Sequence, residues 1–312
     1  MSRRYREKQA QEKERKQMKR ERVKQFLALV LVFAAAVCAF WGCSSSGNSG
    51  GGTAADGKKT FVFGDTTFNA ENGESDINPH RDSGGWACIR YGVGETLFRF
   101  NDAMELEPWL AVGYENVDEL TWEITLRDGV YFTSGRYLDG EAVKACLEAL
   151  IADHPRAAGD LHIAEITAEG QKVTIRTEIP VPALLNYLSD PYGCIIDMEA
   201  GVTDQGIVCG TGPYRAVSLT TDTSLVLEKN DHYWNGEPKI DEITVRTISD
   251  GDTLTMALQS GEIDAAYGMP YASYPLFEND AYTFTGCATS RVFFGAMNFE
   301  SAIMQDLSLI HI

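Results

Sequence analysis

The stretch that decides the fold runs from Cys209 to Ala266 and reads CGTGPYRAVSLTTDTSLVLEKNDHYWNGEPKIDEITVRTISDGDTLTMALQSGEIDAA. Its glycines and prolines separate runs in which apolar and polar residues alternate. Gly210 and Gly212 permit a sharp turn, and Pro213 fixes the next backbone angle. The dipeptide Asn235-Gly236 favours a second turn. We therefore expect strands joined by tight turns.

The same pattern predicts the order strand, turn, strand, helix and strand inside one α/β lobe. Alternation buries one face of each strand, and an aspartate in front of a helix can cap its free N–H groups. Asp250 and Asp252 are both candidates for that cap. The predicted elements are a strand that buries Leu225 and Leu227, a strand through Ile243, Val245 and Thr247, a helix from Thr253 to Gln259 that ends at Gly261, and a strand from Ile263 to Tyr267.

The upstream sequence shows equally regular patterns. Strict alternation from Thr121 to Arg127 indicates a strand, and we expect a second strand from Val130 to Thr133 after the turn at Asp128-Gly129. The other predicted elements are a strand from Thr60 to Gly64, a helix from Glu141 to Ala152 capped by Asp139, a hairpin of Ile163 to Thr167 with Lys172 to Thr177, and a short helix from Val181 to Leu188 with Pro182 in its first turn.

Charge is distributed unevenly along the 312 residues, whose formal net charge is −18. Residues 1–24 carry eleven Lys or Arg and four Glu, whereas residues 44–312 carry 16 basic and 41 acidic side chains. Nucleic-acid phosphates require basic surfaces, so the acidic part argues against nucleic acid as a partner. A well-solvated surface is the simpler explanation of the acidity.

The amino terminus resembles a lipoprotein signal peptide. The basic segment precedes an uncharged run from Phe26 to Trp41, which is shorter than the ~20 apolar residues of a membrane-spanning helix. Gly42-Cys43 and a Ser/Gly-rich segment follow, as in a bacterial lipobox, with Phe40 where that motif usually has Leu. We expect Cys43 to be the lipid attachment site; a single-pass membrane anchor is the alternative. Either arrangement places the remaining chain outside the cytoplasm.

The other cysteines show no metal-binding spacing. No Cys-x-x-Cys or Cys/His pattern is present, so we expect no structural zinc and no cofactor. Buried free thiols are the default expectation, and a Cys194–Cys209 disulfide is possible from the sequence. The five cysteines outside the amino-terminal segment are Cys88, Cys146, Cys194, Cys209 and Cys287.

Four motifs in the stretch that decides the fold, taken together, resemble family 5 of the extracytoplasmic solute-binding proteins, which serve peptide and nickel ABC importers. They are Gly210-Thr211-Gly212-Pro213-Tyr214, Asn230-Asp231-His232-Tyr233-Trp234, Gly236-Glu237-Pro238-Lys239-Ile240-Asp241 and Leu258-Gln259-Ser260-Gly261-Glu262-Ile263-Asp264. Glu95-Thr96-Leu97-Phe98, Pro108-Trp109-Leu110-Ala111 and the Thr121–Thr133 hairpin also match. The resemblance covers about Thr60 to Phe299 and implies an α/β, two-lobed periplasmic-binding-protein-like fold (type II, cluster C type).

The resemblance also implies a domain organisation. After Asp306 the sequence departs from the family pattern, so we expect only the amino-terminal part of the two-lobed fold. The expected segments are 1–43 basic segment and signal peptide, 44–59 tether, 60–103 first part of lobe I, 104–208 intermediate domain, 209–298 second part of lobe I, and 299–312 the start of a truncated lobe II.

The sequence indicates binding rather than catalysis. It has no Gly-x-Ser-x-Gly elbow, His-Glu-x-x-His motif or Walker loop, and we expect His154 and His162 to be surface residues. The nickel-binding branch uses two arginines and an aromatic residue in its middle domain. The first arginine aligns with Arg156, the aromatic position is Gly159, and the second arginine position is Asp190, which precedes Pro191-Tyr192.

The candidate ligand-binding residues are Asp82, Trp86, Arg156, Asp190 and Tyr192. Gly84 and Gly85 suggest that Trp86 is exposed on a loop, with a place in the core as the alternative. For Arg156 the two alternatives are a contact with ligand and a solvated cation on a loop. We expect Trp109 to lie in the core. Carboxylates and an aromatic face suit a cationic or zwitterionic peptide.

The function that the resemblance implies is that of a monomeric, lipid-anchored receptor. It would capture a peptide or nickel chelate outside the bacterial cell membrane and deliver it to an ABC permease driven by ATPase subunits. A dedicated nickel-chelate receptor and a membrane-anchored ligand sensor are the alternatives. An enzyme, such as a metal-dependent hydrolase, would require ligand residues that the sequence lacks.

Overall fold

A computed structural model describes residues 57–81, 83–285, 294–296, 298 and 300–301, and the backbone of residues 52–53. The predictions for the signal peptide, Cys43, Asp82, Cys287 and most of residues 299–312 lie outside the described residues. The helices are α1 (Gly84–Arg90), α2 (Gly140–Asp153), α3 (Ala157–Leu161), α4 (Leu184–Tyr187) and α5 (Gly251–Ser260). Short 3-10 helices span Ala70–Asn72, Pro191–Gly193 and Tyr271–Leu276.

The strands form two larger sheets and two two-stranded ladders. They are β1 (Gly52–Thr53), β2 (Lys59–Asp65), β3 (Glu95–Thr96), β4 (Phe98–Phe100), β5 (Leu106–Pro108), β6 (Ala111–Asp118), β7 (Thr121–Leu126), β8 (Ile163–Glu169), β9 (Lys172–Thr177), β10 (Cys194–Ile195), β11 (Tyr214–Thr220), β12 (Ser224–Lys229), β13 (Glu242–Thr247) and β14 (Ala265–Tyr267).

The stretch that decides the fold supplies four strands of the six-stranded sheet. Its order is β1-β2-β13-β12-β11, and β14 also pairs with β2. The pairing of β2 with β13 is parallel, with Phe63 opposite Val245, so distant parts of the chain share one sheet. Leu225 and Leu227 are fully buried on β12, as their alternation predicts. This part of the sequence prediction is confirmed.

Helix α5 covers one face of this sheet. Leu254 and Ile263 pack with Val62, and Gly64 permits the close approach because a Cβ there would lie 2.6 Å from both Leu254 Cδ1 and Ile263 Cδ1. Of the two candidate caps, the Asp250 side chain accepts from the Thr253 N–H at 2.8 Å. The backbone of Gly261 is left-handed and ends the helix, as expected.

The second sheet has the order β6-β7-β9-β8 and packs against α2. Asp139 caps α2 by accepting from the Ala142 N–H at 2.9 Å, as expected. The predicted Val130–Thr133 strand is wrong. Phe132 N donates to Arg136 O at 2.9 Å, which turns the chain early and leaves only an isolated bridge between Tyr131 and Tyr137.

The predicted helix from Val181 to Leu188 is also shorter in the structure. It spans only Leu184–Tyr187, and Pro182 lies before it. Among the described residues, no helix is long and apolar enough to cross a membrane. The domain boundaries stay a prediction.

Glu95 belongs to one of the sequence motifs and accepts hydrogen bonds from side chains of three others. Its side chain is buried and accepts four hydrogen bonds, one from each of four side chains. The donors are Trp109 Nε1 at 2.8 Å, Thr211 Oγ1 at 2.8 Å, the Tyr233 hydroxyl at 2.7 Å and Trp234 Nε1 at 2.9 Å. Burying a carboxylate is unfavourable unless hydrogen bonds compensate it. The hydrogen bonds to Glu95 therefore link these motifs to one another in the folded protein.

Candidate ligand cleft beside helix α1

A cleft of about 200 Å³ lies where α1, the loop before α3 and the Pro191–Gly193 turn meet. It contains cationic, anionic and aromatic side chains. The lining residues are Trp86, His154, Arg156, Asp160, Tyr187, Asp190, Pro191 and Tyr192.

Four of the residues predicted from the sequence meet in this cleft: Trp86, Arg156, Asp190 and Tyr192. Asp82 lies outside the described residues. Trp86 and Arg156 are 70 positions apart in the sequence, and neither periodicity nor composition relates them. The structure places both side chains beside one cleft, and their contacts with a ligand stay a prediction.

Trp86 belongs to α1 and not to a loop, so the predicted loop placement is wrong. It is nevertheless 49% exposed, and its ring is free to form a wall of the cleft. Gly85 in the same helix permits close packing against the Pro191–Gly193 turn, because a Cβ there would lie 2.6 Å from Pro191 Cβ. The helix and the Pro191–Gly193 turn therefore form adjacent walls.

Tyr192 contacts two other residues that line the cleft, Asp160 and His154. Its hydroxyl donates to Asp160 Oδ2 at 2.6 Å, and its ring contacts His154 edge-on, with ring centroids 5.0 Å apart. Burial, followed by the hydrogen bond to Asp160, raises the pKa of Tyr192 to about 12. The hydroxyl therefore stays protonated at neutral pH and holds the Asp160 carboxylate in place.

Arg156 is the cation of the cleft. It is the exposed N-cap residue of α3, and its backbone N–H donates to His154 Nδ1 at 3.3 Å. Among the residues that the structure describes, no carboxylate lies within 4.0 Å of its guanidinium. An unpaired guanidinium at the mouth of a cleft can bind a carboxylate with two parallel hydrogen bonds.

Asp190 supplies a carboxylate to the lining of the cleft. The residue is exposed, yet the loss of part of its hydration within the cleft raises the pKa of its carboxyl above the ordinary value. No cation lies within 4.0 Å of it among the described residues. A bound ammonium group would restore the favourable interactions of the charged carboxylate.

Sequence reasoning missed three lining residues: His154, Asp160 and Tyr187. The surface placement predicted for His154 is wrong, because its ring is packed against Tyr192 and is only 5% exposed. The spacing of Arg156 and Asp160, one helical turn apart, could have indicated Asp160 once α3 was recognised. Nothing in the local sequence pointed to Tyr187.

In this structure none of the four described cysteines is bonded to another. Cys88, Cys146 and Cys194 are buried free thiols, as expected, and Cys209 is half-buried. The possible Cys194–Cys209 disulfide is not formed. No group of three or more His, Cys, Asp or Glu side chains in the described ranges could hold a metal ion.

A second hollow of about 300 Å³ lies against the six-stranded sheet. Apolar side chains such as Phe61, Ile243 and Val245 dominate its walls, and Arg90 is its one cation among the described lining residues. Arg90 already pairs with Glu74 at 2.8 Å. The cleft beside α1 is therefore the better candidate for a polar ligand, because it offers charges of both signs that have no ion-pair partner among the described residues.

The model of the bacterial extracellular solute-binding proteins, family 5, matches residues 105–309. The nickel-binding protein NikA of Staphylococcus aureus is 32% identical over 192 residues, which are 62% of this chain and 39% of that protein. The glutathione-binding protein GsiB of Salmonella paratyphi A is 35% identical over 186 residues, which are 56% of this chain and 36% of that protein.

Solved structures agree with these relatives. The nickel ABC transporter structure from Bacillus halodurans superposes with a TM-score of 0.66 at 31% identity, covering 72% of this chain and 46% of that chain. The complex of Staphylococcus aureus NikA with Ni(L-His)2 superposes with a TM-score of 0.65 at 29% identity, covering 71% and 46%. This chain thus spans less than half the length of these relatives. The matched residues, the α/β fold and the motifs around Glu95 lead to one conclusion: the chain belongs to family 5 of the bacterial extracellular solute-binding proteins.

Proposed function

We propose that this protein is the solute receptor of an ABC importer and that its cleft beside α1 binds a small zwitterionic molecule, such as a short peptide. The observation that carries this proposal is that Arg156 and Asp190, neither of which forms an ion pair with a described residue, line the same aromatic cleft. A peptide has both opposite charges, so its carboxylate would meet Arg156 and its ammonium group Asp190. Trp86 and Tyr187 offer π-faces that also favour an ammonium group.

The relatives support a ligand of this size and polarity. GsiB is named for glutathione, which is a tripeptide, and NikA is solved with a nickel complex of L-histidine. Both ligands carry amino and carboxylate groups. Uptake through a permease, anchoring by a lipid on Cys43 and a monomeric state belong to the same proposal, as does a location outside the cytoplasm.

The test is ligand binding by calorimetry with the full-length protein, using a panel of di- and tripeptides. We expect Asp190→Asn and Arg156→Gln each to weaken binding by roughly 10-fold or more, because each removes one charge-assisted contact of about 1.5–3 kcal/mol. Peptides with a blocked amino terminus should bind wild type and Asp190→Asn equally.

Matched controls remove equivalent charges away from the cleft. Asp204→Asn and Arg176→Gln change exposed residues and should leave affinity unchanged. The zwitterion proposal is wrong if Asp190→Asn binds the unblocked peptides as tightly as Asp204→Asn does. Metabolic labelling with a radioactive fatty acid, lost in Cys43→Ala, tests the lipid anchor.

Nickel-chelate binding is the second candidate, favoured by the nickel-binding relatives and by His154 in the wall of the cleft. Titration with nickel in the presence and absence of L-histidine distinguishes a nickel-chelate receptor from a peptide receptor. A nickel-chelate receptor binds the nickel–histidine complex and not free histidine. A ligand sensor with the same fold would bind the same molecules, but deleting its gene would leave uptake of labelled ligand intact.

A further inference from the structure

Two buried thiols lie in contact, each close in sequence to a residue that lines the cleft. The sulfurs of Cys88 on α1 and Cys194 on β10 are 3.9 Å apart, and the residues are 0% and 1% exposed. Gly94 makes this contact possible, because a Cβ there would lie 2.4 Å from Cys194 Sγ and 2.8 Å from Cys88 Sγ. The two sulfurs therefore meet with no side chain between them.

The pair joins the two walls of the candidate cleft. Cys88 lies two residues after Trp86, and Cys194 lies two residues after Tyr192. The walls otherwise meet through packing, such as the approach of Gly85 to Pro191. A covalent bond between the sulfurs would fix the separation of the two walls and close a loop between positions 106 residues apart.

Cys146 is the third thiol of this cluster, but its sulfur has other partners. It accepts from the Ile196 N–H at 3.4 Å, lies 3.5 Å from His80 Nε2 and contacts the Cys194 carbonyl oxygen at 3.7 Å. The sulfur-to-sulfur contact therefore selects Cys88 and Cys194 as the pair.

We propose that Cys88 and Cys194 form a disulfide in the exported protein, joining α1 to the Pro191–Gly193 turn. The proposal relies on the extracellular location of the family, where disulfides form and persist. It does not depend on which ligand the cleft binds.

The reaction is thiol–disulfide exchange with a disulfide-containing oxidant, either a low-molecular-weight disulfide or an extracytoplasmic oxidoreductase. One cysteine thiolate attacks the oxidant's disulfide to form a mixed disulfide and releases one thiolate of the oxidant. The second cysteine thiolate then attacks the cysteine sulfur of the mixed disulfide and displaces the oxidant's other thiolate. Two electrons and two protons pass from the cysteine pair to the oxidant, which leaves as two thiols. Because both sulfurs are buried, exchange takes place during folding, before the site closes.

The test is to refold the reduced protein in glutathione buffers with increasing oxidised fraction, trap remaining thiols by alkylation, and analyse the digest by mass spectrometry. We expect one linked peptide pair containing Cys88 and Cys194, with Cys146 alkylated. Hydrogen exchange in α1 and in residues 191–193 should slow in the oxidised form relative to the reduced form, which a bond elsewhere would not produce.

Variants assign the bond. Cys209→Ser should retain the linked pair, and Cys88→Ser and Cys194→Ala should each abolish it. Because either of these could impair folding, the wild-type linkage map decides the question alone. Full alkylation of both residues in buffers that oxidise a reference dithiol, or a link from either residue to Cys146, would overturn the proposal. Failure of peptide binding in calorimetry would leave this result untouched.

Discussion

Replacing Glu95 by glutamine should destabilise the protein even though the two side chains have nearly the same shape. Oε1 accepts from Trp109 and the Tyr233 hydroxyl, and Oε2 accepts from Thr211 and Trp234. In Glu95→Gln, one oxygen becomes an NH2 group that faces one hydroxyl and one indole N–H. The hydroxyl can rotate and accept, but an indole N–H is only a donor.

The magnitude follows from this count. In either orientation of the amide, one indole N–H loses its acceptor, which costs about 1–3 kcal/mol, and the remaining bonds lose their charge assistance. The smaller cost of burying a neutral amide offsets part of the loss. We expect the free energy of unfolding to fall by about 2–3 kcal/mol.

Urea denaturation followed by tryptophan fluorescence measures this change. The control is Glu119→Gln, which changes an exposed glutamate on the turn between β6 and β7 and should alter stability by less than about 0.5 kcal/mol. If the unfolding midpoint of Glu95→Gln equals that of Glu119→Gln, the reasoning about the four donors is refuted.

Three further predictions concern the buried His80 and two helical glycines, Gly85 and Gly159. Burial lowers the pKa of His80 from 6.5 to about 4, against the opposing effect of Asp153. Between these values the unfolded chain binds a proton that the native state does not, so stability should fall as pH drops from 6.5 towards 4, by up to about 3 kcal/mol. Unfolding midpoints measured between pH 6.5 and 4 should fall more steeply for wild type than for His80→Asn. If the midpoints of the two proteins fall in parallel with pH, this prediction is wrong. Gly85→Ala should destabilise by about 1–3 kcal/mol, because its Cβ would collide with Pro191. Gly159→Ala in α3 should stabilise the protein by about 0.5–1 kcal/mol, because its Cβ would meet no atom within 4 Å. Thermal unfolding measures both variants. If both substitutions shift the melting temperature in the same direction, the space around the added Cβ does not decide the effect.

Local pattern was sufficient to predict most individual elements. The alternation around Leu225 and the cap at Asp250 each depend on neighbours within a few residues, and the structure agrees with both. The strand predicted at Val130 failed because a backbone hydrogen bond between Phe132 and Arg136 turns the chain, and alternation does not reveal such a bond.

The candidate site required more than local pattern. Trp86 and Arg156 line one cleft because distant parts of the chain meet there, and the approach of α1 to the Pro191–Gly193 turn at Gly85 is one such contact. The resemblance to the family pointed to Arg156, and for Trp86 it was joined by the neighbouring glycines, which suggested an exposed ring. His154 was misplaced for the same reason, since its burial depends on the Tyr192 ring.

The long-range pairing of β2 also has a consequence for folding. Residues 60–65 of this strand pair in parallel with residues 242–247, about 180 positions later, and residues 63–65 pair with residues 265–267. During synthesis, β2 has no parallel neighbour until the ribosome has produced nearly the whole described chain, and contacts of such sequence separation form slowly. The six-stranded sheet therefore cannot be completed before residue 267 has been synthesised, and under the proposed function this delay would keep β2 without its parallel partners while the chain is exported.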